Sequence, residues 1–164
     1  MGCGPPCKRR LVVFAMFEVE DGEINVRLDE NLRALLTKVS EELRELLLVD
    51  EGEQLTRLYP PAHPDDDELQ SEFKEMVHDQ LLMQRLDGID QLQQSVNDET
   101  ISVELADTWM AIINQARLVL GTQLDVSEED GPVAEDDPDL QAKVVYQVLS
   151  HILEDLTTAR MRLL

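Results

Sequence analysis

Apolar residues recur with a helical period in four stretches of this chain. In the clearest stretch they stand three or four residues apart and predict a helix over about residues 102–124, with one buried face made of Leu105, Trp109, Ile112, Ile113, Ala116, Leu120 and Leu124. Earlier in the chain, a second stripe runs from Leu32 to about Val49. Asp29 is its predicted N-cap, and Glu and Arg residues fill the opposite, solvent-facing side.

The other two helical patterns are less regular. One begins in the acidic run 65–68, where negative charge suits a helix N-terminus, and its Phe73, Met76 and Val77 are expected to face inward. The stripe then drifts around Gly88, which predicts a bend or a break within 80–88. The last helix is expected to start at Asp137-Pro138, and its wide apolar band predicts a central position in the fold.

A β-hairpin is expected before these helices. Residues 11–20 suit a strand, Asp21-Gly22 is a strong hairpin turn, and residues 23–27 alternate as a return strand. The predicted fold is therefore mostly α, with an N-terminal β-hairpin packed on about four main helices. Residues 1–10, rich in Gly and Pro, are expected to form a flexible cysteine-containing tail, and residues 11–164 a single mostly helical domain.

The net charge of the chain favours some kinds of binding partner over others. Fourteen basic residues against 35 acidic ones give a net charge of −21, which repels nucleic acid at long range and suits a basic protein partner. No apolar run approaches the roughly 18 residues of a membrane span. No cleavage site follows the N-terminal apolar run either, so we expect a cytoplasmic protein that does not enter a membrane. The oligomeric state stays open.

Two cysteines, Cys3 and Cys7, are the candidates for redox chemistry. They bracket Gly-Pro-Pro, one residue more than the C-x-x-C spacing of thioredoxin-like enzymes, yet close enough for an internal disulfide. The adjacent basic run 8–10 favours the thiolate form that oxidants attack. In a reducing cytoplasm such a pair suits a reversible sensor, and the alternative is a disordered leader with two incidental thiols.

Other chemistry has little support in the sequence. Two cysteines without a neighbouring histidine make at most half of a zinc site, and His63, His78 and His151 are too far apart to complete one. The chain has no phosphate-binding glycine loop, nucleophile elbow or metalloprotease motif. We therefore expect no metal, no cofactor and no enzymatic activity.

A second row on the Trp109 helix consists of Met110, Asn114, Arg117 and Gly121. Polar side chains this close to a buried stripe need partners. In the structural interpretation, which we favour, Arg117 pairs with a carboxylate or with terminal carbonyls of a neighbouring helix, and Gly121 permits close approach. In the functional interpretation, the row and Trp109 form a face that receives a partner helix, with Arg117 as its polar anchor.

Several of these residues also carry a resemblance. Trp109, Asn114 and the run Arg-Leu-Val-Leu-Gly-Thr-x-Leu at 117–124 resemble the signature of an uncharacterised actinobacterial family, a domain of unknown function, and the order of elements agrees over about residues 12–160. That family is similar to the actinomycete oxidative-stress regulator. The resemblance implies an intramolecular disulfide that promotes binding to an extracytoplasmic-function sigma factor, and the only residues that carry it over are Cys3 and Cys7. It also makes a role as a proteolytic adaptor conceivable.

These observations lead to one functional hypothesis and one alternative. The protein is expected to be a redox-responsive regulator that senses oxidants through a Cys3–Cys7 disulfide and modulates transcription by binding a protein partner such as a sigma factor. The alternative is a constitutive protein-binding module or proteolytic adaptor with no redox role.

Overall fold

The computed structural model describes residues 15–49, 67–125 and 134–164. Three short strands and four helices make up these ranges, in the order β1 (Phe17–Glu20), β2 (Glu23–Val26), α1 (Glu30–Val49), α2 (Asp67–Ser95), β3 (Thr100–Ile101), α3 (Val103–Gln123) and α4 (Leu140–Met161). The predicted class, mostly α with an N-terminal hairpin packed on helices, is confirmed. The expected tail at 1–10 and the loop after α1 lie outside the described residues.

The hairpin turn has the backbone that its sequence predicts. Asp21 and Gly22 have positive φ angles of 52° and 81°, as a two-residue turn of type I′ requires. β1 and β2 pair antiparallel, with Phe17 opposite Val26 and Glu20 opposite Glu23. β3 then adds to the other edge of β2 and makes a third strand. β3 was not predicted, because its two residues are too few to show an alternating pattern.

α1 begins and ends where the pattern places it. The Asp29 carboxylate accepts a hydrogen bond of 2.9 Å from the Leu32 amide, which confirms the predicted N-cap. The stripe buries Leu36, Leu43 and Leu47 almost completely. α1 packs on α2 and α3.

α2 is one uninterrupted helix, so of the predicted bend or break near 80–88 the break is wrong, while the bend stays a prediction. Gly88 has a packing role instead: a Cβ atom there would lie 3.0 Å from Cδ1 of Ile112 on α3. The missing side chain therefore lets α2 approach α3.

α3, and not α4, is the central helix. It packs on α1, α2 and α4, whereas α4 packs mainly on α3 and β1. Ser102 caps α3 by accepting a hydrogen bond of 3.2 Å from the Leu105 amide. α4 also begins later than expected. A turn comes first, in which the Asp137 carboxylate accepts the Asp139 amide proton at 2.8 Å.

A buried cluster joins residues from each described strand and helix, and Trp109 is its largest fully buried side chain. The Trp109 ring meets Phe17 edge-on, with the ring centroids 6.4 Å apart and the planes at 84°. Its indole N–H donates to the Ser95 hydroxyl at 2.9 Å, so the one polar atom of the ring is satisfied. The ring thereby ties β1, α2 and α3 together.

Candidate functional site

The residues predicted as a partner-binding face separate into two groups in the structure. Trp109 is fully buried and contacts Phe17 and Ser95, so it is not part of any surface. The row that begins at Met110 lies instead along the seam between α3 and α4. Its members are therefore positioned by helix packing before any partner is considered.

The two ends of this row contact α4 directly. The Thr157 hydroxyl donates to the sulfur of Met110 at 3.5 Å. At the other end, a Cβ atom on Gly121 would lie 3.0 Å from Cε2 of Tyr146, so the glycine makes room for the tyrosine ring. Since Met110 meets the end of α4 and Gly121 meets its beginning, α3 and α4 run antiparallel.

Arg117 lies between these ends and is half-buried. Its Nη2 atom donates to Oδ1 of Asn114 at 3.0 Å, within the same helix. Its Nε atom is buried and has no hydrogen-bond acceptor among the described residues. Neither the expected carboxylate nor a terminal carbonyl of a neighbouring helix appears among its described contacts. Arg117 therefore keeps a buried donor that no acceptor among the described residues uses.

Two other arginines differ from Arg117 because carboxylates hold them. Arg160 on α4 donates to both carboxylate oxygens of Asp107 on α3, at 2.8 and 3.3 Å, and this pairing raises the pKa of the guanidinium. Arg44 on α1 contacts Asp90 on α2, whose hydrogen bond is the main cause of a raised Arg44 pKa. These two pairs link neighbouring helices, α3 to α4 and α1 to α2.

Arg33 was expected on the solvent-facing side of α1, but its guanidinium contacts backbone carbonyl groups of neighbouring elements. It donates to the carbonyl oxygens of Val26 at 3.2 Å, Leu28 at 3.0 Å and Asp98 at 3.1 Å, and also to that of Val96. One guanidinium thus joins the end of β2, the start of α1 and the end of α2. The pattern of apolar residues gives no signal for this role.

Two methionines of α2 have exposed side chains. Met76 was expected to face inward, but its side chain is 60% exposed, and Met83 is 69% exposed. The inward positions of this helix are taken by Leu82, Ile89 and Leu92. The apolar pattern of α2 therefore covers two faces, and this explains why a single stripe could not be traced through it.

Two clefts open between the helices. One of about 390 Å³ lies between α1, α3 and the start of α4, with a mixed polar and apolar lining that includes Leu43, Val119 and Val145. The other, of about 300 Å³, lies between α2 and α3 around Gly88, and its lining includes Ile112 and Gln115. Neither lining brings a cysteine or histidine together with a carboxylate pair.

The described ranges hold few side chains suited to metal binding or redox chemistry. Across these ranges, no group of three histidine, cysteine or acidic side chains could hold a metal ion. His78 and His151 lie on different helices, and His63 lies outside the described residues, as do Cys3 and Cys7. The pKa of Asp137 is lowered because Lys143 and the Asp139 amide donate hydrogen bonds to its carboxylate. Asp137 therefore has a structural role in the turn before α4.

Within the described helices, none has the length and apolar character needed to cross a membrane. The described residues thus form a helical domain with a small three-stranded sheet, and exposed methionines on α2 are its most distinctive surface feature. Over residues 14–160 the chain matches the model of a family described as a domain of unknown function, DUF2017, and it belongs to that family. No curated protein and no solved structure matches it.

Proposed function

We propose that this protein is a cytoplasmic regulator that senses oxidants through Cys3 and Cys7 and acts by binding a protein partner, without catalysing a reaction. The observation that carries the sensing step is the Cys3-Gly-Pro-Pro-Cys7 sequence beside the basic run 8–10. Neighbouring positive charge lowers thiol pKa values and so raises the thiolate fraction. The resemblance to the actinomycete oxidative-stress regulator is the reason for proposing a sigma factor as the partner and transcription as the process affected.

The redox step balances with peroxide as the oxidant. One thiolate attacks the peroxide oxygen and becomes a sulfenic acid while hydroxide leaves and takes up a proton to form water. The second thiol then displaces water from the sulfenic acid and forms the disulfide. The cysteines lose two electrons and two protons, and the cytoplasmic thiol pool returns them.

Partner binding is supported by Arg117. Its buried Nε atom has no acceptor among the described residues, and only Asn114 is bonded to its Nη2 atom. Because Nε is buried, a partner's carboxylate would contact the exposed part of the half-buried Arg117 side chain, and Arg117→Met should weaken binding without loosening the seam. The matched control is Asp107→Asn, which weakens the ion pair between Asp107 and Arg160 on the same two helices.

A second candidate, a constitutive binding module or proteolytic adaptor, is favoured by one observation. The family match begins at residue 14, so the two cysteines lie outside the part of the chain that defines the family. In that case the helical body does the binding and oxidant has no effect on it.

Mass spectrometry of the full chain after mild peroxide tests the sensor. The peptide that contains both cysteines should lose roughly 2 Da, and reductant should restore the mass. Purified sigma factor is then offered to reduced, oxidised and Cys3→Ser/Cys7→Ser protein. The proposal requires that oxidation change the affinity of the natural protein only. Equal affinity in all three samples would establish the constitutive module, and irreversible acids on both thiols would end the sensor hypothesis.

A further inference from the structure

The exposed methionines of α2 form a stripe. Met76 and Met83 are seven residues apart and Gln80 lies between them, so the three positions fall on one side of the helix. Phe73, which is 39% exposed, extends the stripe by one turn. The spacing of 3, 4 and 3 residues is that of a seam between two packed helices. We call Met76, Gln80 and Met83 the α2 stripe.

The stripe is not needed to hold α2 in place. The helix is anchored on the rest of the domain by Ile89, Leu92 and Val96, each of which is at least 97% buried. Two methionines that are more than half exposed contribute little to that core. Clustered exposed apolar side chains are typical of interaction surfaces, and methionine adapts its shape to different partners.

The acidic residues around the α2 stripe indicate which kind of partner could bind there. Glu72, Glu75, Asp79 and Asp87 are all exposed on the same part of α2. A second copy of this chain would bring the same carboxylates against each other, and each copy carries a net charge of −21. Such like-charge contacts are unfavourable, whereas a basic surface would be complementary.

We infer that the α2 stripe is a docking surface for a basic amphipathic helix of a protein partner. The partner helix would lay apolar side chains on Met76 and Met83 and direct lysines or arginines to the flanking carboxylates. The inference rests on the proposed function only in requiring a protein partner. It is independent of oxidant sensing and of Arg117, which lies on α3 at the seam with α4.

Methyl NMR of the full chain labelled with ¹³C at the methionine methyl groups tests this inference. The protein is kept reduced, and the probe is a synthetic peptide of roughly 18 residues, about five helical turns, with leucines at heptad a and d positions and lysines elsewhere. The signals of Met76 and Met83 should shift and saturate. Met161, which is 65% exposed at the end of α4, is the internal control and should not move.

Variants give the size of the effect. Met76→Gln/Met83→Gln should weaken peptide binding at least about tenfold, because apolar burial is lost, while Met161→Gln should leave it unchanged. Circular dichroism of both variants checks that the helices remain. Because the main readout uses the natural side chains, the test does not depend on the variants folding.

Three results would overturn the inference. Equal shifts at Met161 would show general attraction between opposite charges, and equal binding of a leucine–glutamate peptide would remove the role of charge. Shifts of the stripe on concentrating the protein alone, with dimers in analytical ultracentrifugation, would make a second copy the occupant. The same titration with Cys3→Ser/Cys7→Ser protein should be unchanged, so this proposal and the redox proposal fail separately.

Discussion

Replacing Arg33 with methionine tests how the sheet is joined to the helices. Methionine keeps much of the aliphatic volume of arginine and removes all of its donors. The four carbonyl oxygens that Arg33 contacts then lose a charged donor, and two of them, Val96 and Asp98, belong to the end of α2 and the turn after it. A positive charge there also complements the negative end of the α2 dipole.

The magnitude follows from these contacts. A hydrogen bond to a charged group contributes about 1.5–3 kcal/mol, but four bonds from one guanidinium do not add fully. The Asp98 carbonyl lies in an exposed turn and recovers water, whereas the contacts to Val26, Leu28 and Val96 are partly buried. We expect a loss of about 2–4 kcal/mol in the free energy of unfolding. For a domain of this size that lowers Tm by roughly 4–16 °C.

Urea unfolding followed by Trp109 fluorescence measures this loss, because the ring lies in the core that Arg33 helps to close. The control is Arg27→Met, since Arg27 is 59% exposed and pairs with Glu18 at 3.1 Å on the surface of the hairpin. It should cost less than about 1 kcal/mol. Equal losses for the two variants, or a loss below about 1 kcal/mol at Arg33, would refute the proposed role of the carbonyl cluster.

Two further outcomes test the core and the start of α4. Trp109→Phe keeps an aromatic ring but removes the N–H that donates to Ser95, and it should cost about 1–3 kcal/mol from the lost bond and the lost ring volume, measured by circular dichroism in urea. Asp137→Asn should destabilise the protein only where the carboxylate is ionised. Because Lys143 lowers the Asp137 pKa in the folded state, the difference from the natural protein should be full above the usual carboxyl pKa of 3.8 and disappear as pH falls through the lower folded-state pKa. A difference that persists in stronger acid would show that the pair is not its cause.

The candidate surfaces were predictable only in part. Spacing alone identified the row of Met110, Asn114 and Arg117 as a set on one side of α3, because residues three and four apart share a helix face. Which helix covers that row depends on how α4 packs, and periodicity in α3 holds no information about it. Met76 was assigned to the wrong face because α2 has apolar residues on two sides, and a pattern that mixes two stripes does not show which one is buried.

Short-range sequence features were enough to predict the hairpin turn and α1. The left-handed backbone at Asp21-Gly22, the cap at Asp29 and the extent of α1 follow from neighbours in the chain, since turns, caps and amphipathic stripes are short-range features. The central position of α3, the added strand β3 and the role of Arg33 came from packing. Two of the Arg33 acceptors are 63 and 65 residues away in sequence. A stripe records that a face is buried, whereas the neighbour that buries it is decided by the summed contacts of the folded chain.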